Sequence, residues 1–99
     1  MKNKNRDDLL AHVLNALNQN DYLSYQEIVE DIENRQNISL ECYDIPLSAI
    51  KSLILDNGMY ADGEVPQRYK SDKPLFIANE KKNITSRVDK QIKWKKINY

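Results

Sequence analysis

Residues 46–60 read PLSAIKSLILDNGMY, and this stretch decides the fold class. Pro46 favours the first turn of a helix, where its missing amide costs least. Apolar residues then recur at three- and four-residue spacing, which predicts one buried helical face: Leu47, Ile50, Leu53 and Ile54. Gly58 is typical of a helix C-terminus, and the pair Met59–Tyr60 is strand-like. We therefore predict a helix that opens near Asp44 to Pro46, ends at Asn57 and leads into a strand.

Two further helices are predicted upstream. The first covers about residues 6–18, where apolar residues recur at helical spacing: Leu9, Leu10, Val13, Leu14 and Leu17. Ser24 and Glu27 form a capping box, in which each side chain satisfies the other's backbone amide. The second helix begins there, directly after the extended pair Tyr22–Leu23, and its pattern fades near Asn37.

A hairpin and a closing helix are predicted downstream. One strand takes Met59–Tyr60 and residues 65–69, the other takes residues 75–78, and residues 70–74 join them. The pair Asp62–Gly63 is a competing turn site, so the register stays open. Thr85 or Ser86 is predicted to cap a last helix, which contains several lysines and one arginine. The apolar residues of this helix are Val88, Ile92, Trp94 and Ile97.

Composition bounds the class of protein. The chain has 99 residues, 40% hydrophobic and 30% charged, which predicts one globular domain. No apolar run is long enough for a membrane span or a signal segment, so we expect a soluble cytoplasmic protein. Its single cysteine, Cys42, is expected to be a structural thiol, and Cys42 with His12 is too little for a zinc site. His12 is assigned no role.

Catalysis is not indicated. With only two glycines the chain has no phosphate loop, and it lacks HExxH, GxSxG and CxxC spacings. We predict no enzyme activity, no cofactor and no metal. Abundant asparagine and lysine suggest an AT-rich bacterial or phage genome.

Charge is partitioned along the chain although the net charge is zero. Residues 1–6 carry three bases and no acid. Residues 7–64 carry twelve acids against two bases, and residues 65–99 carry ten bases against three acids. We expect a flexible basic arm over residues 1–5, an acidic body, and a basic C-terminal helix within residues 80–99. Such a separation of charge favours binding to a polyanion or to a second copy of the chain.

The order of predicted elements resembles the winged helix-turn-helix superfamily over residues 6–79. The resemblance rests on three segments: LLxxVLxxL in helix 1, SYQEIVEDI at the start of helix 2, and PLSAIKSLILDNGMY in helix 3. It implies an α+β fold, mainly α, with a three-helix core, a two-stranded wing and a C-terminal helix. In members that bind DNA, helix 3 enters the major groove and the wing lies over the neighbouring backbone or minor groove. The positions carried over are Ser48, Lys51, Ser52 and Asp44 on helix 3, and Arg68, Lys70 and Lys73 on the wing.

Two functions follow from these features. The first is a dimeric bacterial or phage transcriptional regulator that binds double-stranded DNA, gripping phosphates through the wing and the terminal helix. The second is a protein-interaction module, such as a phage-type inhibitor of a host protein, in which the acidic face of helices 1 to 3 meets a basic surface and charge reversal at Glu30 and Glu33 is expected to abolish the complex. The apolar residues of the terminal helix either pack on the body or form a dimer seam, and Tyr69 or Trp94 offers a stacking or packing surface.

Overall fold

The structure is a computed structural model that describes residues 6–19, 21–82 and 92–98. In those ranges the chain forms three helices and a three-stranded sheet, which confirms an α+β fold. Helix α1 spans Arg6–Ala16 and continues as a 3₁₀ turn over Leu17–Gln19. Helix α2 spans Tyr25–Glu30 and continues as a π-helical turn over Asp31–Arg35, and α3 spans Pro46–Asn57. The strands are β1 (Gly58–Met59), β2 (Phe76–Ala78) and β3 (Trp94–Lys96).

Local sequence explains where the helices begin. The Ser24 side chain accepts a hydrogen bond from the Glu27 amide, and the Glu27 carboxylate accepts one from the Ser24 amide, so the predicted capping box is present. Pro46 lies in the first turn of α3, as predicted. The turn after α2 ends close to Asn37, whose φ of 58° is a left-handed value that asparagine tolerates better than most residues.

The sheet is mixed. β1 pairs with β2 in parallel, with Gly58 opposite Phe76, and β2 pairs with β3 in antiparallel register, with Ala78 opposite Trp94. Leu23 extends the sheet beyond β3, because its amide and carbonyl both bond to the Trp94 backbone at 2.8 Å. The resulting order is Leu23, β3, β2, β1.

Trp94 is at the centre of the core. Its side chain is fully buried, and its indole Nε1 donates a 3.0 Å hydrogen bond to Tyr25 Oη. The Tyr60 ring packs against it with centroids 5.8 Å apart. The helices contribute the other large share of the core: Leu9, Val13, Ala16, Leu17, Ile28, Val29, Ile32, Ile50, Leu53 and Ile54.

The predicted hairpin is wrong in its first strand. Residues 65–69 form no strand, since the Tyr69 amide bonds back to Pro66 at 3.0 Å in a turn. The predicted second strand is present as β2, but its upstream neighbour β1 is parallel to it. A parallel pair needs a crossover connection, which residues 60–75 provide. The antiparallel partner of β2 is β3, which comes later in the chain.

The predicted C-terminal helix is also wrong over its described end. Residues 94–96 form strand β3, and burial alternates from Ile92 to Lys95 as it does on a strand. The backbone bonds to Leu23 explain the difference, since they hold Trp94 in an extended conformation. The basic arm at residues 1–5, the caps Thr85 and Ser86, and Val88 lie outside the described residues.

Candidate functional site

Arg68 and Lys70, predicted as wing cations, both face a buried carboxylate on α3. Asp56 is only 2% exposed; Arg68 Nε lies 2.6 Å from its Oδ1 and Lys70 Nζ lies 3.6 Å from its Oδ2. The Lys70 amide also donates to the Asp56 carbonyl at 3.0 Å. The hydrogen bond to Asp56 raises the pKa of Arg68. These two cations therefore hold the crossover connection to the end of α3.

This ion-pair cluster differs in exposure between its members. The side chains of Arg68 and Lys70 are 48% and 70% exposed, so each keeps access to water. The Asp56 carboxylate has no such access and depends on partners from its own chain. Lys73, the third predicted wing cation, is exposed.

The residues predicted to read DNA lie on two parts of the α3 surface. Ser48 and Ser52 line an open cleft of about 320 Å³ together with Leu9 of α1, Tyr43 of the preceding connection and Ala49. Their hydroxyls therefore border an apolar recess.

Lys51 and Asp44 complete the predicted positions on α3. The Lys51 ammonium lies 5.9 Å from the centre of the Tyr25 ring, a cation–π distance. Asp44 is exposed just before the helix. The only cation of this predicted reading surface is therefore placed over an aromatic ring of α2.

A second group of cations lies at Lys93, just before strand β3, and at Lys95 and Lys96 within it. Each is near a side chain from residues 18–27. Lys93 Nζ lies 3.7 Å from Glu27, Lys95 Nζ lies 5.4 Å from the centre of the Tyr22 ring, and Lys96 Nζ donates to Asn18 Oδ1 at 2.9 Å. These contacts orient the lysines along the strand. Because their partners belong to exposed or half-buried side chains, screening by water keeps each contact weak.

Lys81 and Lys82 lie at the same end of the sheet as Lys93. Both are exposed, and they follow Asn79, whose amide and side chain bond to the Lys93 backbone at 3.0 Å. We call the five residues Lys81, Lys82, Lys93, Lys95 and Lys96 the basic edge. The basic edge lies beside β2 and β3. The predicted wing instead paired residues 75–78 with a strand that comes earlier in the chain.

The apolar residues predicted to pack or to form a dimer seam differ in burial. Ile92 and Trp94 are buried in the core, so neither offers a face to a base or to a second copy. Ile97 is half-buried and donates its amide to the Leu75 carbonyl at 3.0 Å. Tyr69, the other aromatic considered for stacking, is half-buried.

Cys42 and His12, the two residues considered for a zinc site, both lie in the described ranges. Cys42 is half-buried with a free thiol, and the His12 carbonyl accepts a 2.9 Å hydrogen bond from Gln36. Residues 6–19, 21–82 and 92–98 contain no group of three or more potential ligands that could hold a metal ion. No helix in these ranges has the length and apolar character needed to cross a membrane.

Sequence reasoning missed the Asp56 cluster and placed Lys93, Lys95 and Lys96 on a helix, whereas they lie on or next to strand β3. A signal for the cluster was present, because Asp56 falls three residues after Leu53 and so lies on the buried side of α3. A carboxylate at such a position needs a cation. Comparisons with protein-family models, with curated proteins and with solved structures found no match to this chain.

Proposed function

We propose that this chain is a winged-helix protein without enzyme activity that binds double-stranded DNA through the basic edge, as a bacterial or phage transcriptional regulator does. The observation that carries the proposal is the antiparallel pairing of β2 with β3, with Leu23 on the far side of β3. In the winged-helix arrangement a two-stranded hairpin follows helix 3. Here the antiparallel pair is β2 with β3, and we assign the part of the wing to this pair.

The charge of this segment supports contact with phosphates. Residues 79–96 contain seven bases and two acids, whereas residues 7–64 contain two bases and twelve acids. Phosphate contacts supply most of the affinity in non-specific DNA binding and a large share in specific binding. A protein of zero net charge needs such a concentrated basic region to approach DNA at all.

The role of α3 in the proposal is smaller than the resemblance implies. Its predicted reading residues contribute two hydroxyls and one lysine, and Lys51 lies over the Tyr25 ring. Serine hydroxyls can contact bases or phosphates. We therefore propose that the basic edge supplies the affinity and that Ser48 and Ser52 are not required for it.

Fluorescence anisotropy with mixed duplex DNA at several salt concentrations tests the proposal. We expect binding that weakens steeply with salt, since each neutralised phosphate contributes about 0.9 to the slope of log affinity against log salt. The double variant Lys81→Gln/Lys82→Gln should bind more weakly and reduce that slope by up to about two. Light scattering in parallel reports whether the protein acts as the predicted homodimer.

Two single variants serve as matched controls, since each also removes one positive charge. Lys70→Gln changes a cation already near Asp56, and Lys51→Gln changes the cation of α3. We expect both to change the slope by less than half of the loss in the double variant. Equal losses in the controls, or retained binding in Lys81→Gln/Lys82→Gln, would refute the basic edge as the contact surface. Absence of binding at low salt would refute the function.

A further inference from the structure

The N-terminal end of α3 presents an apolar surface to solvent. Among the described residues, Ile45 and Leu47 are the large hydrophobic side chains that stand exposed, at 61% and 40%. They flank Pro46, which starts the helix, so the helix backbone holds them in place. Scattered exposed leucines are common, but Ile45 and Leu47 lie in the chain between Tyr43 and Ser48, which line a cleft, and exposed apolar side chains near a cleft are of the kind that marks a binding surface.

The adjoining cleft has room for a partner's side chain. Its volume is about 320 Å³, at the low end of the range for ligand sites. Leu9 and Ala49 supply apolar lining, while Ser48 and Ser52 add hydroxyls. A large apolar side chain can therefore enter with the neighbouring backbone near these hydroxyls.

Acidic residues surround this region. Asp8 directly precedes Leu9 and Asp44 directly follows Tyr43, so both adjoin residues that line the cleft, and Glu41 lies two positions before Tyr43. All three are exposed. Such a border repels phosphates and attracts lysine or arginine.

We propose that this surface binds a protein partner through a short segment with one or two large apolar side chains flanked by lysine or arginine. Exposed apolar side chains, an apolar cleft and an acidic border together select this occupant over nucleic acid, whose phosphates the border repels. The inference is independent of DNA binding, because it uses α3 and α1 instead of the basic edge. It narrows the acidic face of helices 1 to 3 predicted from the sequence to the side of α1 and α3, away from Glu30 and Glu33.

A second copy of the chain fits this occupant less well. The segment Lys93–Ile97 has the required mixture of lysines and apolar residues, but Trp94 is fully buried in its own core. Releasing it would break the bond to Tyr25 and the pairing with Leu23. The occupant therefore comes from a different protein.

Synthetic peptides of matched length provide the test. The probes are an amphipathic lysine–leucine helix, the same peptide with glutamate for lysine, and the same peptide with serine for leucine. Binding is followed by NMR chemical shifts on the full chain and by calorimetry. We expect the lysine–leucine peptide to bind at least tenfold more tightly than either of the others, with the largest shifts at Ile45, Leu47, Ser48 and Ser52.

Three protein variants separate the parts of the surface. Ile45→Ser/Leu47→Ser removes the apolar anchors and should lower affinity at least tenfold. Asp8→Asn/Glu41→Gln removes two border charges and should lower it several-fold, more at low salt. The charge-matched control on the α2 side is Glu30→Gln/Glu33→Gln, which should leave affinity within twofold of the wild type.

Thermal unfolding checks that each variant is folded, which we expect because all the altered side chains are exposed. Several outcomes overturn the proposal: no peptide binding at millimolar concentration, equal binding of the glutamate peptide, or unchanged affinity in Ile45→Ser/Leu47→Ser. A concentration-dependent dimer whose formation shifts Ile45 and Leu47 would assign the surface to a second copy and would also overturn it. None of these results depends on whether the chain binds DNA.

Discussion

Gly58 is the position where one added methyl group should do the most damage. An alanine β-carbon there would lie 2.7 Å from Cζ3 of Trp94 and 2.8 Å from the Ile54 carbonyl oxygen. The backbone itself does not require glycine, because φ is −116° and ψ is 163°, values that any residue adopts. The cost of Gly58→Ala is therefore purely one of space.

Neither neighbour of that methyl group can retreat easily. Trp94 is fully buried, and its indole is bonded to Tyr25 at 3.0 Å. The Ile54 carbonyl belongs to the backbone of α3. Overpacking typically costs about 1–3 kcal/mol, and two rigid contacts place this variant near 3 kcal/mol. For a domain of this size, that loss corresponds to a fall in Tm of roughly 12–24 °C.

Thermal and urea unfolding followed by circular dichroism measure the effect. Gly63→Ala is the matched control, since Gly63 has φ of 87° and no atom within 4 Å of an added β-carbon. Its cost is conformational, about 1 kcal/mol. Combining Gly58→Ala with Trp94→Phe should cost less than the sum of the single changes, because the smaller ring makes room. A Gly58→Ala protein that melts within two or so degrees of the wild type, or strict additivity with Trp94→Phe, would refute the packing argument.

Four further predictions test the contacts around the core. Ser24→Ala should lose about 1 kcal/mol in urea unfolding, because the cap of α2 is removed. The backbone hydrogen bond at Ser24 is the main cause that lowers the pKa of Glu27 in the folded protein. The ionised Glu27 carboxylate therefore stabilises the fold at pH values above its unfolded pKa, and this stabilisation is lost as pH falls through the lowered folded pKa. Glu27→Gln should flatten this acid-side dependence of the free energy of unfolding on pH. Arg68→Met should lower the urea midpoint more than Asp56→Leu does, since the first change leaves the buried Asp56 carboxylate with Lys70, 3.6 Å away, as its remaining cation in the cluster, and the second leaves two cations that reach water. Tyr25→Phe should cost about 1–2 kcal/mol, seen by the fluorescence of the single tryptophan, because the buried indole N–H loses its acceptor.

The helices could be predicted because their signals are local. The capping box at Ser24 and Glu27 acts within one turn, and Pro46 acts on the turn that contains it. The predicted strand at residues 75–78 was confirmed as β2 for a similar reason, since its apolar run is short and follows Pro74. These elements need no distant partner to be specified.

The strand pairing could not be predicted, because it depends on contacts far apart in sequence. Ile92, Trp94 and Ile97 fit a helical pattern as well as an extended one, so periodicity alone does not separate the two. The bonds between Leu23 and Trp94 decide the outcome. Gly58 shows the same limit: it ends α3 as predicted, but the requirement for glycine comes from the ring of Trp94 instead of a left-handed cap.

The displacement of the antiparallel pair by one strand changes which charges matter for the proposed function. With a hairpin built from β1 and β2, the nearby cations are Arg68 and Lys70, which share the single negative charge of Asp56, and the exposed Lys73. With β2 and β3 as the pair, the nearest exposed cations are Lys81 and Lys82, in a segment that carries seven bases and two acids over residues 79–96. The first pair lies near cations that contact a buried carboxylate, whereas the second ends beside Lys81 and Lys82, which are exposed. Salt-dependent binding by the basic edge would therefore support the strand order and the function together, because neither explains that result alone.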